Sequence, residues 1–357
     1  MLKQLRIFTI VLFIAILSFL TRTIIKQKGM DIKDLLKHNS LVSHFSRAEN
    51  AISYNINQTL NHKNVLIRDV LQQGNSILFV ETTDRMDEPS LVLCSVESAA
   101  RVYPDRPVVF FMKGLDEIII EDEEIKIREH YPTLSSYKNI YFFPLKLDKL
   151  FAETPLMAWY EKIDPTREVY WTHVKSDACR FAMMWKYGGI YMDTDVISIQ
   201  PILEDNFLAA ETLTKTSSSV FGLSPRHKLS WEFMENFVQN YRGEVWAHQG
   251  PGVFTRVVNK HCGVPNFTSV DHVKCANVSY FHPERFYPIS FPSWQRYFEV
   301  WEHFPAFNNS YALHLWNFMN KEKKNMVVGS NTLVEHLYQQ YCPSTYEGVL
   351  KHKTTIF

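Results

Sequence analysis

Asp193 and Asp195 stand two residues apart at the end of the run Gly188-Gly189-Ile190-Tyr191-Met192. If the apolar run is a strand, alternate side chains share a face, so the two carboxylates point the same way. Like charges side by side repel, and a cation normally offsets them. A divalent ion held by oxygen ligands, with coordination positions left for phosphate oxygens, is the chemistry that suits such a pair. An Asp-x-Asp also arises on solvated loops, so its surroundings decide its meaning.

The element that must position the pair lies just upstream, over residues 176–187. Ser176 suits a helix start, and Gly188 suits the left-handed residue that ends one. Ala178, Phe181, Ala182 and Trp185 recur at helical spacing and form a buried seam. Asp177 and Arg180 are three apart on another face, where they form either a local salt bridge or a polar hold on ligand. In the second reading Asp177 accepts sugar hydroxyls and Arg180 holds a hydroxyl or phosphate oxygen. The glycine turn then delivers both pairs to one pocket.

The run Ser176-Asp177…Arg180…Trp185-Lys186-Tyr187-Gly188-Gly189-Ile190-Tyr191…Asp193-Thr194-Asp195 resembles the Asp-x-Asp region of the α1,4-glycosyltransferases. Further blocks agree in order along the chain. They include Phe79-Val80-Glu81-Thr82, Cys94-Ser95-Val96-Glu97, Met112-Lys113-Gly114-Leu115, Trp246-Ala247-His248-Gln249-Gly250-Pro251, His314-Leu315-Trp316-Asn317 and Tyr341-Cys342-Pro343. The similarity runs from about residue 74 to residue 343. It implies an α/β, GT-A-like Rossmann-type nucleotide-sugar transferase fold, a UDP-sugar donor, Mn²⁺, and retention of the α configuration.

Residue by residue, the resemblance implies that Asp195 is the main metal ligand. Asp193 would ligate through water or touch the ribose and sugar. His314, two residues before Trp316, would be the third ligand, and Trp316 would donate its indole N–H to a phosphate oxygen. Glu81 and Thr82, ending the first strand, would lie near the uridine. Gln249 and Gly250 would let backbone approach a bound sugar, although Pro251 there also suits plain helix initiation. Ser217-Ser218-Ser219 stands where relatives often place an Asn, which leaves the sugar identity open. Cys262 and Cys275 could clip a short loop, as the family pattern also suggests; Cys94, Cys179 and Cys342 remain, with Cys179 the expected buried free thiol.

Strands are expected over 77–80, 107–112 and 140–143, and helices over 91–102 and 147–151. That alternation indicates a parallel sheet with helices on both faces, whose ligands bind at the carboxyl ends of the strands. After Pro201 the pattern loosens, with helices over 231–241 and 253–260 and an irregular aromatic stretch over 280–304. Residues 75–345 form the expected catalytic domain, with residues 346–357 a C-terminal tail.

Thirty-eight basic and 38 acidic residues balance, so no global field favours nucleic acid. Residues 7–21 carry no charge, between Arg6 and Arg22. At ~1.5 Å each they reach only ~22 Å of a ~30 Å hydrocarbon core, and snorkelling arginines with Ile24 and Ile25 supply the remainder. No small-residue cleavage site follows Leu20. The expected order is therefore a cytoplasmic tail over 1–6, a signal anchor over 7–25 and a stem over 26–74. Four sequons, at Asn57, Asn266, Asn277 and Asn308, favour a lumenal body. A type II Golgi membrane glycoprotein is the expectation. Its expected activity is transfer of galactose or N-acetylgalactosamine from a UDP-sugar, in α1,4 linkage, onto a glycosphingolipid such as lactosylceramide. The alternatives are α1,4-N-acetylglucosamine transfer to glycoprotein glycans, and a lumenal glycan-binding protein that keeps the fold.

Overall fold

A computed structural model describes residues 69–115, 127–263, 267–275 and 277–352. All belong to one compact unit, Lys63–Phe357. The expected anchor, most of the stem, and the sequons at Asn57 and Asn266 lie outside the described residues. No helix among the described residues is long and apolar enough to cross a membrane.

The first half alternates strands and helices as expected. Strand β1 (Ile77–Glu81) is followed by α1 (Ser90–Val102), β2 (Val108–Met112), β3 (Ile140–Pro144), α2 (Leu147–Phe151), α3 (Pro155–Tyr160) and α4 (Trp171–Tyr187). After them come β4 (Gly189–Met192), β5 (Val196–Ser198), β6 (Phe207–Thr212), β7 (Lys215–Thr216) and β8 (Val220–Leu223). The remainder comprises α5 (Lys228–Gln239), α6 (Pro251–Cys262), β9 (Val273–Cys275), β10 (Val278–Phe281), β11 (Ala312–His314), α7 (Leu333–Tyr341) and α8 (Pro343–His352).

Nine strands make one sheet, ordered β3-β2-β1-β4-β8-β6-β10-β9, with β7 beside β6. The β3-β2-β1-β4 half is parallel, with Ile77 opposite both Val108 and Ile190. Strand β8 runs antiparallel to β4 and β6, so the sheet is mixed rather than parallel throughout. Both faces are covered. Ile77 and Phe79 enter one apolar core with Phe110 and α1, while Leu78 and Val80 enter the other with Phe111 and α4. This is why β1 and β2 read as continuous apolar runs.

Three expectations change. The chain after Pro201 holds three strands of the main sheet in close succession, which the short runs Phe207-Leu208-Ala209-Ala210 and Val220-Phe221-Gly222-Leu223 could not announce by periodicity. Helix α4 begins at Trp171, so Ser176 is an interior residue rather than a cap. Packing also extends past both expected domain limits: Val70 and Leu71 are buried on one side, and Val349 in α8 on the other.

The helix-to-strand turn before the carboxylates depends on its glycine pair. Gly188 and Gly189 have φ of 63° and 95°. A Cβ on Gly189 would lie 2.1 Å from the Ser76 carbonyl oxygen, and one on Gly188 would lie 2.4 Å from Pro225 Cδ. Only glycine allows α4 to end and β4 to start flush against β1. Phe181 then locks the helix, its ring centroid 5.6 Å from Phe233 of α5 and 5.4 Å from Phe254 of α6. Its neighbour Arg180 is thereby held in place.

Candidate active site

Strand β4 ends at Met192, so the carboxylates sit on the turn into β5 and not on a strand. Strand alternation is therefore not what makes them converge. The turn is pinned from three sides. Asp193 donates its N–H to the Ser219 carbonyl at 2.8 Å, Val196 donates to the Asp193 carbonyl at 3.1 Å, and Ser95 of α1 donates its hydroxyl to the Thr194 carbonyl at 2.8 Å.

His314 arrives from 119 residues away in sequence through the antiparallel pairing of β11 with β5, in which His314 faces Val196. Its Nε2 is 3.3 Å from Asp195 Oδ1. Asn317 donates its N–H to the other oxygen, Oδ2, at 2.9 Å. Ligand atoms of Asp193, Asp195 and His314 all lie within 4.8 Å of one another. Two carboxylates and an imidazole at that spacing fit a divalent cation that accepts oxygen and nitrogen donors.

Arg180 supplies the compensating charge. Its Nη2 is 3.1 Å from Asp193 Oδ1 and its Nη1 donates at 3.3 Å to Oδ2, a two-point hold. Nη1 also donates at 2.8 Å to the Ser218 carbonyl, and the guanidinium lies 4.7 Å from the centroid of the Tyr191 ring. The Tyr191 hydroxyl donates to Asp193 Oδ1 at 2.8 Å. Burial works against the Arg180 charge, but Asp193, Tyr191 and Asp177 together outweigh it and raise the pKa, so this buried cation is permanent.

Asp177 is less well served. Its Oδ1 is 3.4 Å from Arg180 Nε. Arg180 directs its shorter contacts to Asp193, so desolvation outweighs its pull and lifts the Asp177 carboxyl to about 7. Burial likewise raises Asp195, with Asp193 adding to the effect and His314 opposing it. Gly250 closes over Asp177: a Cβ there would lie 2.4 Å from Oδ1. The expected pocket thus holds Asp177, Arg180, Asp193, Asp195 and His314 together, with Gly250 against its wall.

Other expected donor contacts are differently employed. The Trp316 indole N–H donates to the Ile289 carbonyl at 2.8 Å, so it anchors the covering segment and is not aimed at a phosphate. The Gln249 amide is spent on backbone, accepting from Arg242 N at 3.0 Å and donating to the Phe237 carbonyl at 2.8 Å. Glu81 accepts from Arg85 at 2.7 Å and from Thr83 N at 2.6 Å, and Thr82 donates weakly to the Thr172 carbonyl at 3.5 Å. Both lie at the carboxyl end of β1, next to β4. Tyr191, Ser95 and Asn317 carry no role in the sequence reading, although each stands in a family block, and Ser218 enters it only as part of a stretch bearing on sugar identity. Tyr191 was within reach, since it sits two residues from Asp193; the others are contacts between distant segments.

Cys262 pairs with Cys275, and Cys179 is buried and free, as expected; Cys94 pairs with Cys342 across 248 residues.

Two family models match the chain. A glycosyltransferase sugar-binding region containing the DXD motif matches residues 89–214, and an α1,4-glycosyltransferase conserved region matches residues 222–349. Human α-1,4-N-acetylglucosaminyltransferase is 50% identical over 285 residues, covering 79% of this chain and 83% of that protein. The chain belongs to the α1,4-glycosyltransferase family. Mouse lactosylceramide 4-α-galactosyltransferase is 37% identical over 281 residues, covering 77% of this chain and 76% of that one. Among solved structures, the PaToxG glycosyltransferase is similar at 17% identity, with a TM-score of 0.41 over 58% of this chain and 79% of that one. Family membership makes this chain an α1,4-glycosyltransferase, and the DXD family implies a divalent metal and a nucleotide-sugar donor.

Proposed function

We propose that this transferase moves N-acetylglucosamine from a UDP donor, in α1,4 linkage and with retention, onto a glycan acceptor in the Golgi lumen. The observation that carries the catalytic reading is the Asp193–Asp195–His314 group braced by buried Arg180. What supports the sugar is the 50% identity to an α-1,4-N-acetylglucosaminyltransferase, against 37% to a lactosylceramide 4-α-galactosyltransferase. This inverts the order expected from sequence, where galactose or N-acetylgalactosamine transfer to a glycosphingolipid came first. The galactosyl reading stands second, supported by the same family region.

Asp195 and His314 would hold a divalent ion, Mn²⁺ by preference, with Asp193 sharing it or touching the donor sugar. The chemistry such an ion supplies is neutralisation of the charge that develops on the diphosphate. The chain's own groups do the rest. Arg180 offsets the charge of Asp193, which otherwise adds to the burial that penalises ionised Asp195. Asp177, poised near neutrality, can donate to or accept from a sugar hydroxyl. Retention proceeds by front-face displacement: the acceptor oxygen bonds the anomeric carbon as the diphosphate leaves on the same face, and a diphosphate oxygen takes the acceptor proton. Trapping a covalent glycosyl-enzyme adduct would overturn that route. The two disulfides support an oxidising compartment, and the anchor at residues 7–25 would tether the enzyme there.

The test uses the full chain in detergent with Mn²⁺ and UDP-N-acetylglucosamine, UDP-galactose or UDP-N-acetylgalactosamine, with lactose and N-acetyllactosamine as acceptors. Release of UDP that requires the metal, selects N-acetylglucosamine and drops at least about a hundredfold in Asp195→Ala is expected. Selection of galactose would establish the second reading; metal-independent release would overturn both.

A further inference from the structure

Beside the carboxylate centre lies an aromatic group that none of the roles above uses. Trp246 is 42% exposed. Its indole lies flat on Phe318, with centroids 3.7 Å apart and planes 13° apart. His173 stands edge-on to both rings, at 4.8 Å from Trp246 and 5.0 Å from Phe318, and Tyr170 meets Trp246 at 5.2 Å. The Lys321 ammonium sits 3.4 Å from the Phe318 ring centroid.

Each member is tied to the site. Phe318 follows Asn317, whose N–H holds Asp195. His173 is in the first turn of α4, close enough to Arg180 and Asp193 to feel both charges. Trp246 shares its loop with Gly250, which abuts Asp177. That loop is held at several points. Gln249 near its end bonds Arg242 and Phe237 at its start, Ala247 holds a left-handed φ of 58°, and Arg256 donates to the His248 carbonyl at 3.3 Å. An exposed indole on so firmly ordered a loop is built for a ligand rather than for the core.

The chemistry of the occupant follows. A transferase must hold an acceptor hydroxyl against the anomeric carbon while the acceptor stays open to solvent beyond it. A pyranose ring carries one face of C–H groups, weakly positive, that matches the negative face of an indole. Its hydroxyl rim needs polar partners, and His173 stands at the edge of the indole to serve as one. We propose that Trp246, backed by Phe318, is the stacking platform for the terminal pyranose of the acceptor. This rests on the transferase reading. A flat aromatic could instead take the uracil base, and the test separates the two.

The experiment uses saturation-transfer NMR on the full chain in detergent, with lactose as probe in the presence of Mn²⁺ and UDP. Aromatic resonances of the wild type are saturated, and the sugar protons that gain signal are read. Transfer concentrated on the C–H face of the terminal ring is expected; transfer to no sugar proton overturns the platform. In Trp246→Ala that transfer is lost and the acceptor KM rises about tenfold, while the donor KM stays within twofold. Trp246→Phe, which keeps a flat ring, retains most of the signal. Unchanged lactose transfer in Trp246→Ala, or a matching loss of UDP binding, overturns the proposal. Lactose held through Trp246 without turnover would leave the platform standing and remove the transferase reading; turnover indifferent to Trp246 would do the reverse.

Discussion

At the scale of single residues, the site is a problem in placing two carboxylates beside one guanidinium and a third beside an imidazole. Arg180 lies 3.1 Å from Asp193 and 3.4 Å from Asp177, and burial raises the Asp177 carboxyl against the pull of Arg180. A raised carboxyl pKa means the folded state keeps a proton that the unfolded chain has released between about pH 4 and pH 7. Stability therefore falls as pH rises through that window. Asp177→Asn removes the titration, so its Tm, measured from pH 4.5 to pH 8, should fall less with rising pH than the wild-type Tm does. A parallel pair of curves would show that Asp177 is ionised throughout. The role of Trp316 is tested at this scale too. Trp316→Phe loses one buried hydrogen bond, to Ile289, and should cost about 1 kcal/mol in chemical denaturation without abolishing UDP affinity.

At the scale of elements, two devices aim the chemistry. One is the glycine turn between α4 and β4. Gly189→Ala would force a Cβ into the Ser76 carbonyl at a φ of 95°, where strain alone costs about 1–3 kcal/mol. The expected result is a lowered Tm together with lost activity, because any shift that relieves the clash moves β4 and the carboxylate turn after it. The other device is a carboxylate on α1 that serves a distant helix. Glu97 accepts from the N–H groups of Ser344 and Thr345 at 2.9 and 2.8 Å, and from the Thr345 hydroxyl at 2.7 Å. These are orphan donors at the start of α8, where a negative charge is best placed. Glu97→Ala should cost about 2–3 kcal/mol of stability by denaturant titration, whereas the same change at exposed Glu347 should cost little.

At the scale of the whole molecule, segments from opposite ends of the described chain meet, and β11 pairs with β5 in a two-stranded sheet apart from the main one. Strand β11 completes a centre begun by β4 and β5, and α7 and α8 are fastened to α1 by Glu97 and by the Cys94–Cys342 bridge. Cross-linking across 248 residues restricts the unfolded chain strongly. Replacing both cysteines by serine should lower stability by about 2–5 kcal/mol in denaturant titration, while Cys179→Ala, which breaks no bridge, should cost less.

The sequence by itself determined the local facts: β1 and β2 as buried strands, β3 as a strand, the glycine-ended helix and the Asp-x-Asp pair. Those are readable because periodicity, glycine position and residue chemistry act over a few neighbours, whereas His314 as a third ligand came from the family resemblance alone. It did not determine that Asp193 and Asp195 occupy a turn, that Gln249 and Trp316 are spent on backbone, or that Cys94 reaches Cys342. Nor did it announce the mixed half of the sheet, where β6 and β8 are short runs whose partners lie far along the chain. Only the tertiary structure decided these. Each is a contact between segments whose meeting depends on the packing of the entire core, and hydrogen-bond donors find their acceptors only after that packing is complete.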